Sequence, residues 1–412
     1  MSNVTKVISM IAKESLRVAH EQSTFIGTVN RDYDDSYAKT GAKIGSNLRI
    51  RDPNQYTRRQ GSRVMAVQDQ NESEQTVVMA TQDGVDMRFN SAELTLDTDN
   101  LDAVDAFSKR YIIPAMSSLV SGIDGDFIRQ ATMDTYNLVG TAGTVVGASG
   151  DTSAIGQARA KLNQGLAPSD SRSFQVDSVT MASIVNGNKA LFNPTPEVTK
   201  AFREGSYGRF SGLDWFENER TYAQSVGSDV TASTNAAAAV TDGGVNITMD
   251  AGGSSGNVNA GDIFTVAGVY SCHPETKISL GFLQQFVCTA ASTGAITVSP
   301  PTVLTGAKQN VCSSASAQLA TTAFNSQTMT FFGTATNTYR QNLVYHKDAF
   351  TFVTADLPLM AGADKCVRKT MDGLSLRVWM DSDIRNDELL CRIDILYGFK
   401  TLRPAWACRV SN

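Results

Sequence analysis

The sequence predicts an α+β protein: one long helix stiffens antiparallel sheet, and an all-β segment interrupts the chain. Three observations carry that prediction. Over residues 94–134, apolar side chains recur at three- and four-residue steps, the period of one helix face. Over residues 223–342, charge nearly disappears and short β-branched runs alternate with turn residues. Near the C-terminus, two runs alternate strictly between apolar and polar side chains, the period of a half-buried strand.

Composition bounds what the chain can be. Its 412 residues suffice for a sizeable core and two or three domains. A formal net charge of −5 leaves no basic footprint of a sequence-specific nucleic-acid binder. Cys272, Cys288, Cys312, Cys366, Cys391 and Cys408 form no CxxC pair and no compact framework, so they read as reduced thiols. A zinc site from Cys272, His273, Cys288 and Cys312 fits no usual ligand spacing. Lys6, Lys13 and Glu14 break any secretory h-region. The longest uncharged run, 278–307, contains Gln284, Gln285, Pro300 and Pro301 and reads as strands, not a membrane span. A soluble protein is expected.

In chain order, residues 1–37 read as an N-terminal arm. Val4, Val7, Ile8, Ile11 and Val18 line one side of a helix whose other side lacks the basic excess of a membrane-surface helix. Residues 38–93 read as an extended hairpin loop. Leu48 and Ile50 alternate with Arg49 and Arg51, Asp52-Pro53-Asn54 signals a turn, and 76–81 is a β-branched run. Asp83-Gly84 reads as a hairpin turn before Val85, Met87 and Phe89. Arg49, Arg51, Arg58, Arg59 and Arg63 stand against a tract holding Asp69, Glu72 and Glu74. These charges form either a solvated loop or contacts with a second copy. The second reading is favoured, because an isolated hairpin is marginal in water. The predicted intersubunit contacts are Arg49, Arg51, Arg58, Arg59, Arg63, Glu72 and Glu74.

Residues 94–135 read as one helix. Asp97, Asp99, Asn100 and Asp102 suit its N-terminus, and Val104, Phe107, Tyr111, Ala115, Leu119, Ile123, Phe127 and Ala131 form its apolar face. At ~1.5 Å per residue it would run roughly 50 Å. Pro114, Gly122 and Gly125 are the predicted hinge points.

Residues 136–222 open on a glycine- and threonine-rich connection. A short helix at 155–162 follows, then a strand from 176 running into a turn or helix by 184, then a helix at 192–203 stopped by Gly205. Phe210, Leu213, Trp215 and Phe216 make an aromatic anchor. Residues 223–342 hold β-runs at 245–249, 263–269, 282–289 and 295–299, which suggest a small antiparallel barrel or sandwich inserted into the fold. In 343–412, Leu374, Leu376, Val378 and Met380, then Cys391, Ile393, Ile395, Tyr397 and Phe399, mark two strands over a core.

Three apparent sites fail on context. Gly252-Gly253-Ser254-Ser255-Gly256 matches a nucleophile-elbow string, but a loop follows where a helix is needed. Asp381, Asp383 and Asp387 resemble a calcium loop, yet Arg385 occupies the fifth position and the central glycine is missing, so they read as a polar turn. Neither a P-loop nor a dinucleotide fingerprint occurs. No catalytic, metal or cofactor-binding residue is assigned, and the protein is read as no enzyme.

The order of parts resembles a known family. Residues 391–404, CRIDILYGFKTLRP, resemble the closing strand of the coat proteins of short-tailed lambdoid Salmonella phages. Residues 342–350, NLVYHKDAF, with Leu357-Pro358-Leu359, are similar to the segment re-entering that family's capsid core, and 261–269, GDIFTVAGV, to a strand of its insertion domain. Ser46-Asn47 before the first strand and Pro114-Ala115-Met116 inside the helix also match in order. The resemblance implies the Hong Kong 97-type capsid fold, with axial domain, peripheral domain with spine helix, extended hairpin loop, N-terminal arm and an inserted all-β barrel-like domain. It implies hexamers and pentamers in an icosahedral shell around double-stranded DNA. The partners it implies are a scaffolding protein, a portal protein and packaged DNA bound without sequence specificity, with no membrane; it leaves open whether a decoration protein binds outside. The low charge of 223–342 sets this chain apart from the family's insertion domain and implies contacts without salt bridges there. The competing reading is a β-rich surface or tail adhesin.

Overall fold

The computed structural model describes residues 13, 15, 17, 24–31, 47–59, 61, 63–65, 67, 68, 72–90, 111–148, 152–187, 208–228, 230, 233–235, 240–250, 257–292, 294–360, 362, 365–371 and 374–412. Most of the helix expected over 4–18, the first half of the long helix, the helix at 192–203 and the GGSSG string lie outside them.

Lys13, Ser15 and Arg17 are helical; after them, among the described residues, come β1 (Asn47–Arg51), β2 (Glu74–Val78), β3 (Thr81–Asn90) and helix α1 (Ile113–Asp134). Then come β4 (Leu138–Val139), α2 (Ser153–Gln164), β5 (Arg172–Val176), α3 (Ser178–Gly187), β6 (Arg209–Phe210), β7 (Leu213–Glu217) and β8 (Ala223–Ser225). A run of strands follows: β9 (Gly244–Thr248), β10 (Ile263–Cys272), β11 (Ser279–Ser292), β12 (Ala295–Thr302), β13 (Val311–Cys312) and β14 (Met329–Phe331). The chain closes with β15 (Thr338–His346), β16 (Phe350–Ala355), β17 (Lys365–Met371), β18 (Leu374–Asp383), β19 (Glu388–Thr401) and β20 (Ala407–Ser411). The chain divides into two units, one of residues 1–50, 74–127 and 350–400, the other of 51–73, 128–349 and 401–412.

In the first unit, a sheet runs β16-β19-β18-β17, with β17 antiparallel to β18, β18 antiparallel to β19, and β3 added antiparallel to β19. The part of α1 in this unit buries Met116, Leu119, Val120, Ile123 and Phe127, the three- and four-residue spacing read from sequence. Met116, Leu119, Val120 and Ile123 face Phe352, Leu376 and Ile395 of the sheet. The Phe127 ring centroid lies 4.8 Å from both Phe25 and Phe399 and 5.8 Å from Phe352, so one aromatic cluster fixes helix, sheet and N-terminal segment together. Fully buried Asp124 accepts the backbone N–H groups of Phe25 and Ile26 at 3.1 and 3.0 Å. A carboxylate can be buried there because those donors satisfy it.

Asp83-Gly84 is not a turn. β3 runs straight through it, with Gly84 opposite Asp394 of β19. A Cβ on Gly84 would lie 2.6 Å from the Asp394 carboxylate and from the Ile393 carbonyl. Asp394 is fully buried and receives Arg377 Nη2 and Arg392 Nε, each at 2.6 Å. The glycine is there to make room for a buried ion cluster, a need that turn propensity does not register.

In the second unit, a mixed sheet runs β4-β20-β15-β5-β7-β6, with β8 on β15. Helices α2 and α3 cover it through Ile155, Ala158, Leu162, Met181 and Ile184 against Phe174, Val344 and Val410. The strand expected from residue 176 ends there, and α3 takes over at Ser178. Trp215 packs edge-on at 4.7 Å against Phe174, as the aromatic anchor suggested. Between β8 and β15, six strands form a separate antiparallel sheet, β13-β10-β11-β12-β9 with β14 on β10. Ser233 bridges Thr328 while Thr234 bridges Met249, which joins the two edges of that sheet. The result is a barrel around Phe264, Phe286, Ile296, Val298, Phe324 and Phe331.

Arg409 of β20 is fully buried and donates to the carbonyls of Thr135 and Met133 at 2.7 and 2.9 Å and to Gly261 at 2.8 Å. It therefore caps the C-terminal end of α1 and ties the barrel entrance to the sheet. Burial pulls its guanidinium down to about 9, against the pull of Asp134 and Asp262, which leaves it charged at neutral pH.

Candidate assembly interface

Within the stretch predicted as the extended hairpin loop, here called the arm and distinct from the N-terminal arm of 1–37, β1 and β2 pair as a two-stranded ribbon. Asp52 N–H donates to the Ser73 carbonyl at 2.9 Å, extending the ribbon by one rung. Arg49 meets Glu74 at 3.2 Å and Arg51 meets Glu72 at 3.4 Å, all four side chains more than half exposed. The structure thus pairs two of the arginines with carboxylates of the same chain, across the ribbon. Such exposed pairs contribute at most ~1 kcal/mol each.

Beyond the ribbon, Gln68 staples the loop. Its Oε1 accepts Thr57 N–H at 2.9 Å and its Nε2 donates to the Thr57 carbonyl at 2.6 Å. Arg59 donates to the Val64 carbonyl. Arg58 and Arg63 are exposed beside them. Lys308, after the barrel strand β12, donates to Ser73 Oγ at 2.9 Å.

The feature that charge-based reading missed is apolar. Val64, Met65 and Val67 are 76–78% exposed, and Tyr56 is 56% exposed. Side chains of this kind gain roughly 1.5–3 kcal/mol each on full burial, so leaving three adjacent ones in water is costly unless something covers them. The signal was present in the sequence: Val64-Met65-Ala66-Val67 is an apolar run between Arg63 and Gln68.

The three hinge candidates differ in setting. Pro114 is the second residue of α1, directly after a π turn at Tyr111 and Ile112. The wider turn accommodates the missing N–H and the ring. Gly122 and Gly125 lie within the regular helix, and a Cβ on either would meet nothing within 4 Å. Their presence weakens the helix without being required by packing.

Other candidates dissolve into structure. Asp383 accepts Arg385 N–H at 2.9 Å and Asn386 Nδ2 at 2.8 Å in the β18–β19 turn. Among the described residues, no three His, Cys, Asp or Glu side chains gather as a metal site. Cys288 faces the barrel core. Among the described residues no helix is long and apolar enough to cross a membrane.

Residues 88–408 match the family model described as "P22 coat protein - gene protein 5". Among solved structures, the chain is similar to one from Mycobacterium phage Che8, with 12% identity, 94% of this chain and 91% of that one covered, and a TM-score of 0.51. It is also similar to the asymmetric unit of the bacteriophage PhiM1 mature capsid, with 10% identity, coverage of 89% and 82%, and a TM-score of 0.44. No curated protein matches.

Proposed function

Because this chain belongs to the P22 coat protein family, and so is a major capsid protein of the icosahedral shell of a tailed double-stranded DNA phage, we propose that its arm binds the neighbouring copy of itself. The fold is of the Hong Kong 97 type. The observation that carries the arm assignment is the uncovered run of Val64, Met65 and Val67 between Arg59, Arg63 and the Gln68 staple. A second copy supplies the cover, and Arg58, Arg59 and Arg63 give the contact its charge. Arg49, Arg51, Glu72 and Glu74 hold the ribbon in register and add to the interface from its base. Many weak contacts of this kind make a strong shell through multivalency.

Hexamers and pentamers, an internal scaffolding protein, a portal at one vertex and an outer decoration protein complete the reading, with assembly in the host cytoplasm. Residues 223–342 act as an insertion domain on axial and peripheral domains, and the protein has no catalytic role. Maturation on DNA packaging bends or shifts the spine helix at Pro114, Gly122 and Gly125. The acidic chain holds packaged DNA weakly, which suits both filling and ejection.

The test is electron microscopy of particles formed on co-expression with neighbouring phage genes. Arg58→Glu with Arg59→Glu, and separately Met65→Glu, should abolish closed shells while circular dichroism of the subunit stays unchanged. Normal shells from both variants would refute the arm assignment. Arg49→Gln, which removes only an exposed pair, should alter subunit stability by less than ~1 kcal/mol.

A further inference from the structure

We propose that Cys272 and Cys312 form an oxidisable pair that closes to a disulfide between β10 and β13 of the barrel. The inference is independent of the arm and of assembly. In the β10–β13 pairing, Cys312 stands opposite Tyr270 and Val311 opposite Ser271, while Cys272 N–H donates to the Asn310 carbonyl at 3.0 Å. Cys272 is therefore the diagonal neighbour of Cys312 on the same face of the sheet, and the two thiols approach closely enough to act on each other as hydrogen-bond partners, so only a small backbone shift is needed to bring the sulfurs to bonding distance.

That face is the outer one. Val269 and Val311 point into the barrel core, so Tyr270, Cys272 and Cys312 alternate away from it. Both thiols are nonetheless buried, and Cys312 Sγ lies 3.8 Å from the Ser271 carbonyl. Cys272 forms part of the wall of a cavity of about 80 Å³ whose lining includes Lys161, Phe282 and Asn310. A small oxidant has room there.

The other four cysteines lack such a partner. Cys288 belongs to the barrel core and Cys408 to the core of the mixed sheet. Cys366 opposes Trp379 and Cys391 opposes Met380, so β18 separates them. Burial first, and the neighbouring Cys312 thiol second, push the Cys272 thiol up to about 11, against the pull of the Lys277 ammonium. Burial therefore keeps the Cys272 thiol protonated and slow to react in a reducing environment, and the bond closes only under sustained oxidant.

With hydrogen peroxide as the oxidant, the Cys272 thiolate attacks one oxygen, forming an S–O bond as the O–O bond breaks. The thiol proton having gone to solvent as the thiolate formed, the departing hydroxide takes a proton back from solvent and leaves as water. Cys312 sulfur then displaces the hydroxyl of the sulfenic acid, and its own proton leaves with that hydroxyl as a second water. The two sulfurs lose two electrons, and the peroxide gains them.

The test uses the full chain, exposed to hydrogen peroxide at pH 8.5, alkylated under denaturing conditions and digested with trypsin without reduction. Cys272 is the only cysteine of the tryptic segment 221–277 and Cys312 the only one of 309–340, while Cys288 falls in 278–308. Mass spectrometry should find 221–277 joined to 309–340, both cysteines protected from alkylation, and the link lost on adding dithiothreitol. Cys312→Ser should leave Cys272 open to alkylation. Full alkylation of both cysteines after oxidation of the unaltered chain, or a link from either to one of the other four, would overturn the proposal.

Discussion

Gln285 of the barrel grips the backbone of Leu138 from both sides, its Oε1 accepting the Leu138 N–H at 3.0 Å and its Nε2 donating to the Leu138 carbonyl at 2.9 Å. One amide side chain thus acts as a rung of β-ladder between the barrel and β4. Ile263, Val287 and Leu138 pack around the joint. Gln285→Ala leaves both backbone groups unpaired, at a cost of ~1–3 kcal/mol. Hydrogen exchange at Leu138 should accelerate by roughly five- to 150-fold, while exchange within β11 and β12 should stay as slow as before. Unchanged protection at Leu138 would show that water replaces the amide at no cost.

Gly84 tests the packing explanation of a glycine. Gly84→Ala places a methyl group against the Asp394 carboxylate and should destabilise the subunit by about 1–3 kcal/mol, the usual range for overpacking. Denaturant unfolding gives the magnitude. An unfolding midpoint unchanged by the alanine would refute the packing explanation.

Gly122 and Gly125 make the opposite prediction. Nothing opposes a Cβ at either position, so Gly122→Ala and Gly125→Ala should each stabilise the subunit by roughly 0.5–1 kcal/mol. A raised thermal midpoint checks this. If the helix bends there during maturation, the double variant should build precursor shells that expand more slowly, read by electron microscopy over time.

His346 gives a pH dependence. Its Nδ1 accepts Asp348 N–H at 3.2 Å and its ring meets Trp406 edge-on at 5.3 Å. Burial holds the imidazole below its usual value, outweighing the upward pull of Asp348 and Asp170, and Arg172 and Arg403 add to the lowering. The unfolded chain therefore binds this proton more readily than the folded one. The stability is complete above about pH 6.5 and falls as pH drops through the lower folded value. The urea midpoint should decline on that limb, and His346→Asn, which keeps an acceptor but does not titrate, should flatten it.

Much of this chain could be read from residue order alone. The buried face of α1, the strands at 245–249, 263–269, 282–289 and 295–299, and the two closing strands β18 and β19 all follow from local periodicity, because the side facing a core repeats along the element that builds it. The cluster of arginines at 49–63 and the exposed valines and methionine at 64, 65 and 67 stand in the sequence as short charged and apolar runs. Which partner each residue meets could not be read this way. Gly84 beside the Asp394 cluster, Arg49 paired to Glu74 on its own ribbon, and Arg409 capping a helix that ends 275 positions earlier at Asp134 are decided by segments far apart in sequence. Periodicity reports which side of an element avoids water. The identity of what covers that side is a property of the folded chain, because burial is non-directional while hydrogen bonds and charge pairs require particular atoms within about 3 Å.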